Sequence, residues 1–224
     1  MAPPSEESGR PEGALERFLG HCQVRTFPAD SVLISAGDHS DRLFFLLKGS
    51  VSVVIEDERG HEIVLAYLNE GDFFGEIGMF DERHQRSAWV RSRTAVEVAQ
   101  MHYDTLRRVA AESPEIVFRM MFQLAHRLRS TNRKVGDLAF TDTTGRVART
   151  LLDLTRQPDA IADPLGWRIR VTRQELGRIA GCSREMVSRV LRVLADRGML
   201  VLVGRDIVVF GPSGVSDADP PVLS

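Results

Sequence analysis

At 224 residues, with 43% hydrophobic and 27% charged side chains, the chain can bury one large or two medium cores and has the balance of a soluble protein. It holds no apolar run long enough to span a bilayer, and residues 1–13 lack the charged start and apolar stretch of a secretory signal, so a cytoplasmic setting is expected. Cys22 and Cys182 fall in different halves, too few for a four-cysteine zinc or iron–sulfur site, so no metal is expected.

Residues 1–13 are rich in Pro, Ser, Glu and Gly and are expected to be disordered. Residues 14–22 (ALERFLGHC) read as a short amphipathic helix with Leu15, Phe18 and Leu19 on one side. From Arg25 to Met101 come short apolar or alternating runs: SVLI, RLFFLLK, SVSVVIE, EIVLAYL, DFFGEI, SAWVR and VEVAQM. Glycines at 37, 49, 60 and 71 punctuate them. This spacing predicts an antiparallel sandwich or barrel, a small jelly roll within residues 14–113, closed by a helix at 103–112.

A long helix is expected over 114–139, within a joining segment 114–140. Val117, Met121, Leu124, Leu128, Thr131, Val135 and Leu138 recur in alternating steps of four and three, with Arg119, Gln123, His126, Arg127, Arg129, Arg133 and Lys134 between them. That is the heptad rhythm of a helix packed on a partner helix, and it favours a dimer seam over the long core helix of a single domain.

Residues 141–211 carry 12 arginines against 8 acidic residues, whereas residues 1–140 carry 17 basic against 21. A basic C-terminal half suits phosphate neutralisation, though weakly on charge alone. Here 145–157 is expected helical, with Thr143 or Thr144 as cap; 158–167 (PDAIADPLGW) reads as a loop and RIRV as a strand. A helix at 172–180 opens with the capping box Thr172-x-x-Glu175, Gly181 turns the chain, and Ser183 caps a further helix to Asp196. Two strands around residues 204–206 form a hairpin, and 212–224 read as a flexible tail. The fold class expected is α+β.

Two constellations carry chemistry. The first, GDFFGEIG (71–78) followed by QRSA (85–88), combines glycines that let backbone N–H groups approach an anion with Arg86, a permanent cation with forked donors. Glu76 would accept from sugar hydroxyls, so a sugar-phosphate pocket is suggested. By spacing alone a glycine turn with a surface Glu–Arg pair accounts for these residues at least as well. The second is the helix–Gly turn–helix over 172–196, in which Arg184, Glu185, Ser188 and Arg189 share one face and Val187, Val190, Leu191 and Leu194 the other. Charges in the first two turns are placed for a major groove, where Arg grips guanine and Glu accepts from cytosine. Arg173, Gln174 and Ser183 complete the DNA-facing set. The six histidines are scattered and no serine lies in a nucleophile elbow, so no catalytic set is expected.

GDFFGEIGMF with RSAWVR, LAFTDTTGR, and TRQELGRIAGCSREMVSRVL together resemble the Crp/Fnr family of bacterial transcription regulators over about residues 15–211. The resemblance implies an N-terminal cyclic-nucleotide-binding jelly roll, a dimerisation helix, a C-terminal winged helix-turn-helix, and cyclic AMP as effector. It assigns Gly75 and Glu76 to the ribose, and Arg86, Ser87 and the Ala88 backbone to the cyclic phosphate. Arg127 would lie near Glu76, and Thr131 would receive the adenine amino group. Asn132, at a position that is serine in the best-known members, would reach across from the partner subunit. Arg184, Glu185 and Arg189 match base-reading positions, so two-fold symmetric double-stranded DNA and RNA polymerase are the implied partners. Ala162 and Asp163 replace a Thr and a His, and Gln23, Arg25 and Thr105 replace a His, His and Lys patch, at polymerase-contact positions. Alternatives are a member answering cyclic GMP or cyclic di-GMP, and a regulatory subunit of an enzyme.

Overall fold

The computed structural model describes residues 11–211, and they fall into two compact units divided within one helix between Arg133 and Lys134. The first unit opens with α1 (Pro11–Gly20), which begins three residues earlier than expected, inside the segment read as disordered. The rest of that segment and the tail 212–224 lie outside the described residues. Strands β1 (Gln23–Phe27), β2 (Val32–Ile34), β3 (Arg42–Lys48), β4 (Ser50–Glu56), β5 (Glu62–Asn69) and β6 (Phe73–Phe74) follow. After α2 (Ile77–Phe80) come β7 (Trp89–Ser92) and β8 (Val96–His102). Helix α3 (Tyr103–Glu112) precedes the long α4 (Glu115–Phe140).

The strands make two antiparallel sheets, ordered β1-β8-β3-β6 and β2-β7-β4-β5. Side-chain alternation explains why RLFFLLK is apolar almost throughout. Phe44 and Leu46 point into the core between the sheets, with Val51, Leu68, Phe74, Val90 and Val98. Leu43 and Phe45 point the other way, onto Phe18 of α1, Leu106 and Val109 of α3, and Ile116 and Met120 of α4. β3 is thus covered on both faces and needs no polar side. Phe18 is fully buried and meets Phe73 edge-on at 5.4 Å, a burial that stabilises by about 1.5–3 kcal/mol. Trp89, in β7, has the Arg91 guanidinium 5.6 Å from its ring centre. The Cys22 thiol is pushed up to about 12 by burial, which keeps it protonated.

Helix α4 runs through Gly136 without interruption. Ile116 and Met120 are buried, and Gln123 and Arg127 turn toward the β6 loop. Of the expected seam, Val117, Met121, Leu128, Val135 and Leu138 are exposed, as is Thr131, and Leu124 is half-buried. Phe118 and Phe122 add two large rings to this stripe, 70% and 69% exposed.

In the second unit, α5 (Thr143–Leu154) is capped by Asp142, whose carboxylate accepts from the Gly145 amide at 2.8 Å. This corrects the expected cap at Thr143 or Thr144, and the helix ends at Leu154, not 157. The end of α4 is tied to α5 by an ion pair of Asp137 with Arg149. Residues 158–167 are not the loop expected. They contain β9 (Ile161–Asp163) and the start of β10 (Gly166–Arg170), where Trp167 pairs with Ala162 and stays half exposed. Helices α6 (Arg173–Ala180) and α7 (Arg184–Asp196) follow, then β11 (Leu200–Val203) and β12 (Asp206–Phe210), in a sheet ordered β11-β12-β10-β9. The β11–β12 turn has Gly204 at φ 61°, the first central position at which such hairpins favour glycine.

Gly177 sits where α6 meets the turn after it: a Cβ there would stand 2.6 Å from the Cys182 carbonyl oxygen. Gly177→Ala is therefore expected to destabilise this unit by about 1–3 kcal/mol, because the obstacle is backbone, despite alanine's better helix propensity. Thermal unfolding followed by circular dichroism checks this, and an unchanged or higher midpoint would show that the turn relaxes freely.

Candidate ligand pocket and DNA-reading helix

The cavity in the first unit is built where β6 ends. Gly75 takes φ +82°, and a Cβ there would meet Arg86 Nη1 at 2.7 Å and the Phe44 ring at 3.1 Å, so the glycine permits both the turn and the approach of the guanidinium. Glu76 follows, then the single turn of α2. The cavity, about 330 Å³, is lined on its polar side by Gly75, Glu76, Gly78, Arg86, Ser87 and Ala88. Its apolar wall includes Ile34, Val53, Leu65, Phe74 and Val90 from both sheets. A pocket of this size with few polar groups on one side is typical of a small-ligand site.

Charge is distributed unevenly in it. Arg86 is 9% exposed and donates from Nη1 to the Gly75 carbonyl (3.0 Å) and from Nη2 to the Arg42 carbonyl (3.0 Å). Among the described residues no carboxylate lies within ion-pair distance of it. A buried cation without a counter-ion is costly, and an anionic ligand removes that cost. Glu76, 6% exposed, is by contrast matched: Arg127 Nη1 of α4 lies 3.5 Å from its Oε1. Arg127 also pairs with Asp72 at 3.3 Å and donates to the Phe73 carbonyl. Its neighbour Gln123 donates to the Gly71 carbonyl at 2.7 Å and accepts from the Phe73 amide at 2.9 Å. Nothing in the sequence assigns Gln123 or Asp72 a role of its own in the site, or points to Arg42.

The structure thus gathers Gly75, Glu76, Arg86, Ser87 and Ala88 at one cavity, with Arg127 behind Glu76. Thr131 and Asn132 are exposed on α4 and do not line it. Among the described residues, no three His, Cys, Asp or Glu side chains converge as metal ligands would.

In the second unit, Leu176, Gly177 and Ala180 of α6 and Val187, Val190, Leu191 and Leu194 of α7 are buried against Val147, Leu151 and Leu154 of α5. Gly181 is left-handed (φ 63°, ψ 49°) and breaks α6, while Thr172 and Ser183 each accept from the amide three residues on. Arg146 of α5 donates to the Ala180 carbonyl at 3.0 Å and to the Thr141 carbonyl at 3.0 Å, satisfying an orphan acceptor at the end of α6.

With its apolar face inward, α7 presents Arg184, Glu185 and Arg189 outward, beside exposed Arg173, Gln174 and Ser183. Ser188 is half-buried and donates to the Arg184 carbonyl at 3.0 Å, so its hydroxyl proton is already used. The Glu185 carboxyl is held below the usual carboxylate range, chiefly by its own backbone amide and then by the Ser183 hydroxyl. It is thus a charged acceptor folded onto the start of its helix. A groove of about 460 Å³ runs between the start of α6, Arg184 and the β11–β12 hairpin, adding Arg170 and Arg205 to the basic surface.

Comparison with known proteins matches a domain in each unit. Residues 24–113 match the cyclic nucleotide-binding domain and residues 145–214 the Crp-like helix-turn-helix domain. The cAMP-activated global transcriptional regulator Vfr of Pseudomonas aeruginosa is 52% identical over 200 residues, 88% of this chain and 94% of that protein. The cAMP-activated global transcriptional regulator CRP of Salmonella typhimurium is 49% identical over 205 residues, 91% of this chain and 98% of that protein. Among solved structures, the c-di-GMP-responsive global regulator CLP of Xanthomonas campestris aligns with a TM-score of 0.84 at 39% identity, covering 90% of this chain and all of that one. With such relatives matched along nearly its whole length, the chain belongs to the Crp/Fnr family of transcription regulators.

Proposed function

We propose that the protein is a cyclic AMP-responsive transcription regulator that binds two-fold symmetric DNA as a homodimer. The observation that carries the ligand half is Arg86, a buried guanidinium without a carboxylate partner, facing a cavity of nucleotide size beside Glu76. A cyclic phosphate supplies the missing negative charge, and a ribose hydroxyl suits a carboxylate acceptor. Relatives at about half identity are described as cAMP-activated. The DNA half rests on α7, whose outward residues are two arginines and an ionised glutamate at the end of the helix that enters a groove in this architecture.

The dimer rests on α4. Its exposed stripe, from Val117 through Phe122 and Leu128 to Leu138, is too apolar and too regular to face water alone. Thr131 and Asn132, exposed on this helix, would then meet ligand from the two sides of the seam. Ligand shifts DNA affinity only if it binds one arrangement of the paired helices more tightly than another. A non-enzymatic regulator of this kind works in the cytoplasm; RNA polymerase would be met through the β9–β10 hairpin, where Ala162 and Asp163 alter the contact.

Cyclic di-GMP is a second reading, favoured by the likeness to CLP. It carries two phosphates, and the cavity offers one unpaired arginine, which favours the mononucleotide. Calorimetric titration with cyclic AMP, cyclic GMP and cyclic di-GMP separates these readings. Sedimentation and shifts of selected genomic fragments would accompany it. The expected result is one cyclic AMP per chain at micromolar or tighter affinity, a dimer, and sequence-selective shifts that strengthen with cyclic AMP. Heat with cyclic di-GMP alone would replace the effector, and no shift of any fragment would return the enzyme-subunit alternative.

A further inference from the structure

Behind the cavity wall lie two buried hydroxyls, those of Tyr103 and Ser40, that are not among its lining residues. The Tyr103 hydroxyl, on the first residue of α3, is 2.5 Å from the Gly75 carbonyl, 3.2 Å from Arg86 Nη1 and 2.6 Å from Ser40 Oγ. Tyr103 is 6% exposed and Ser40 2%. A carbonyl and a guanidinium each act in one direction only, so the proton order is determined. Tyr103 spends its one proton on Gly75, accepts from Arg86, and therefore accepts from Ser40 as well.

From this order we infer that Tyr103, backed by Ser40, is a positioning residue for the nucleotide: it sets the direction of both anion-binding elements of the wall, the Arg86 fork and the Gly75–Glu76 peptide. The inference rests on the reading of this cavity as a cyclic-nucleotide site. The Gly75 carbonyl receives two donors, Tyr103 and Arg86, and together they fix the direction of the Gly75–Glu76 peptide. In a trans peptide the following N–H points opposite to the carbonyl. The Glu76 amide is therefore turned away from the Tyr103 hydroxyl and held in that direction. Three of the five N–H groups of Arg86 are engaged by Gly75, Tyr103 and the Arg42 carbonyl, which leaves Nε–H and one Nη2–H for an anion. Without the Tyr103 oxygen a third donor is released, and the fork is held by the Gly75 and Arg42 carbonyls alone. Gly78 closes the arrangement: a Cβ there would stand 2.0 Å from Ser40 Oγ, so the glycine makes room for the serine.

A purely structural role would weaken all ligands alike, whereas a positioning role changes which phosphate oxygen is preferred. The test is titration of full-length protein with cyclic AMP and with the two diastereomers of its phosphorothioate, which place sulfur at one or the other exocyclic oxygen. Tyr103→Phe is expected to weaken cyclic AMP about tenfold and to bring the two diastereomers closer in affinity. Ser40→Ala should do the same to a smaller degree, and should add nothing in the Tyr103→Phe background, because it acts through Tyr103. Unchanged diastereomer preference in both variants overturns the inference, as does an effect of Ser40→Ala that persists without the tyrosine hydroxyl. Should Tyr103→Phe fail to fold, the diastereomer preference of Ser40→Ala alone decides. Failure of the unsubstituted protein to bind cyclic AMP overturns instead the reading of the cavity.

Discussion

Arg86→Lys is expected to weaken cyclic AMP binding by about 100-fold, the effect of losing roughly 3 kcal/mol of forked, charge-assisted hydrogen bonding. Lysine keeps the charge but offers three donors from one point. It cannot hold the Gly75 and Arg42 carbonyls, 3.0 Å from the two arginine nitrogens, and also present a fork to phosphate. Arg86→Met removes the charge as well, and its expected signature is a contrast. The ligand-free protein loses hydrogen bonds but is relieved of a buried, uncompensated cation, so its unfolding temperature moves little. The rise in unfolding temperature with cyclic AMP, worth about 4 kcal/mol at a thousandfold excess over Kd, disappears. Calorimetry and ligand-dependent thermal unfolding measure both, and a retained rise would show that other groups carry the phosphate.

Arg184→Ala is expected to cost about 1–3 kcal/mol per half-site in specific DNA binding, and twice that in a dimer reading two half-sites. The loss should fall on guanine positions of the selected site, while binding to unrelated DNA and its steep salt dependence change little. The same measurement on Arg205 of the β11–β12 hairpin, exposed on the same groove, shows whether its charge acts on the backbone or on bases. Competition binding with single-base variants of the site gives the answer; unchanged discrimination at every guanine would show that Arg184 does not read sequence.

What the sequence made legible depended on how strongly burial imposed a period. β3, β4 and α3 occupy the spans expected: β3 and β4 are largely apolar runs bounded by turn residues, and α3 buries Tyr103, Leu106 and Val109 on one helical face. β1 and β9 escaped. Gln23–Phe27 is almost wholly exposed and is a strand because β8 offers it an edge, not because of its own pattern. Ile161–Asp163 lies among Pro, Asp and Gly residues that signal a loop, and it pairs only through β10. Asp142 escaped as a cap because four capping residues stand together in TDTT, and only the helix start decides among them. In the site, glycine spacing and a nearby arginine pointed to Gly75, Glu76 and Arg86. The partners of Arg86 did not show, because Arg42 is 44 residues away and contributes only a carbonyl. Ser40 and Tyr103, 63 residues apart, meet only through the fold.

The two tryptophans of the chain fall one in each unit, Trp89 in β7 beside the cavity-lining Ala88 and Val90, and Trp167 in β10 beside β9. Nature has in effect installed two separate optical reporters. Emission from Trp89, next to the ligand cavity, is placed to register occupancy there, and emission from half-exposed Trp167 registers events on the β9–β10 hairpin. Replacing either indole with phenylalanine leaves a single lamp of known address, so ligand uptake and the response of the DNA-binding unit can be timed independently without attaching a label.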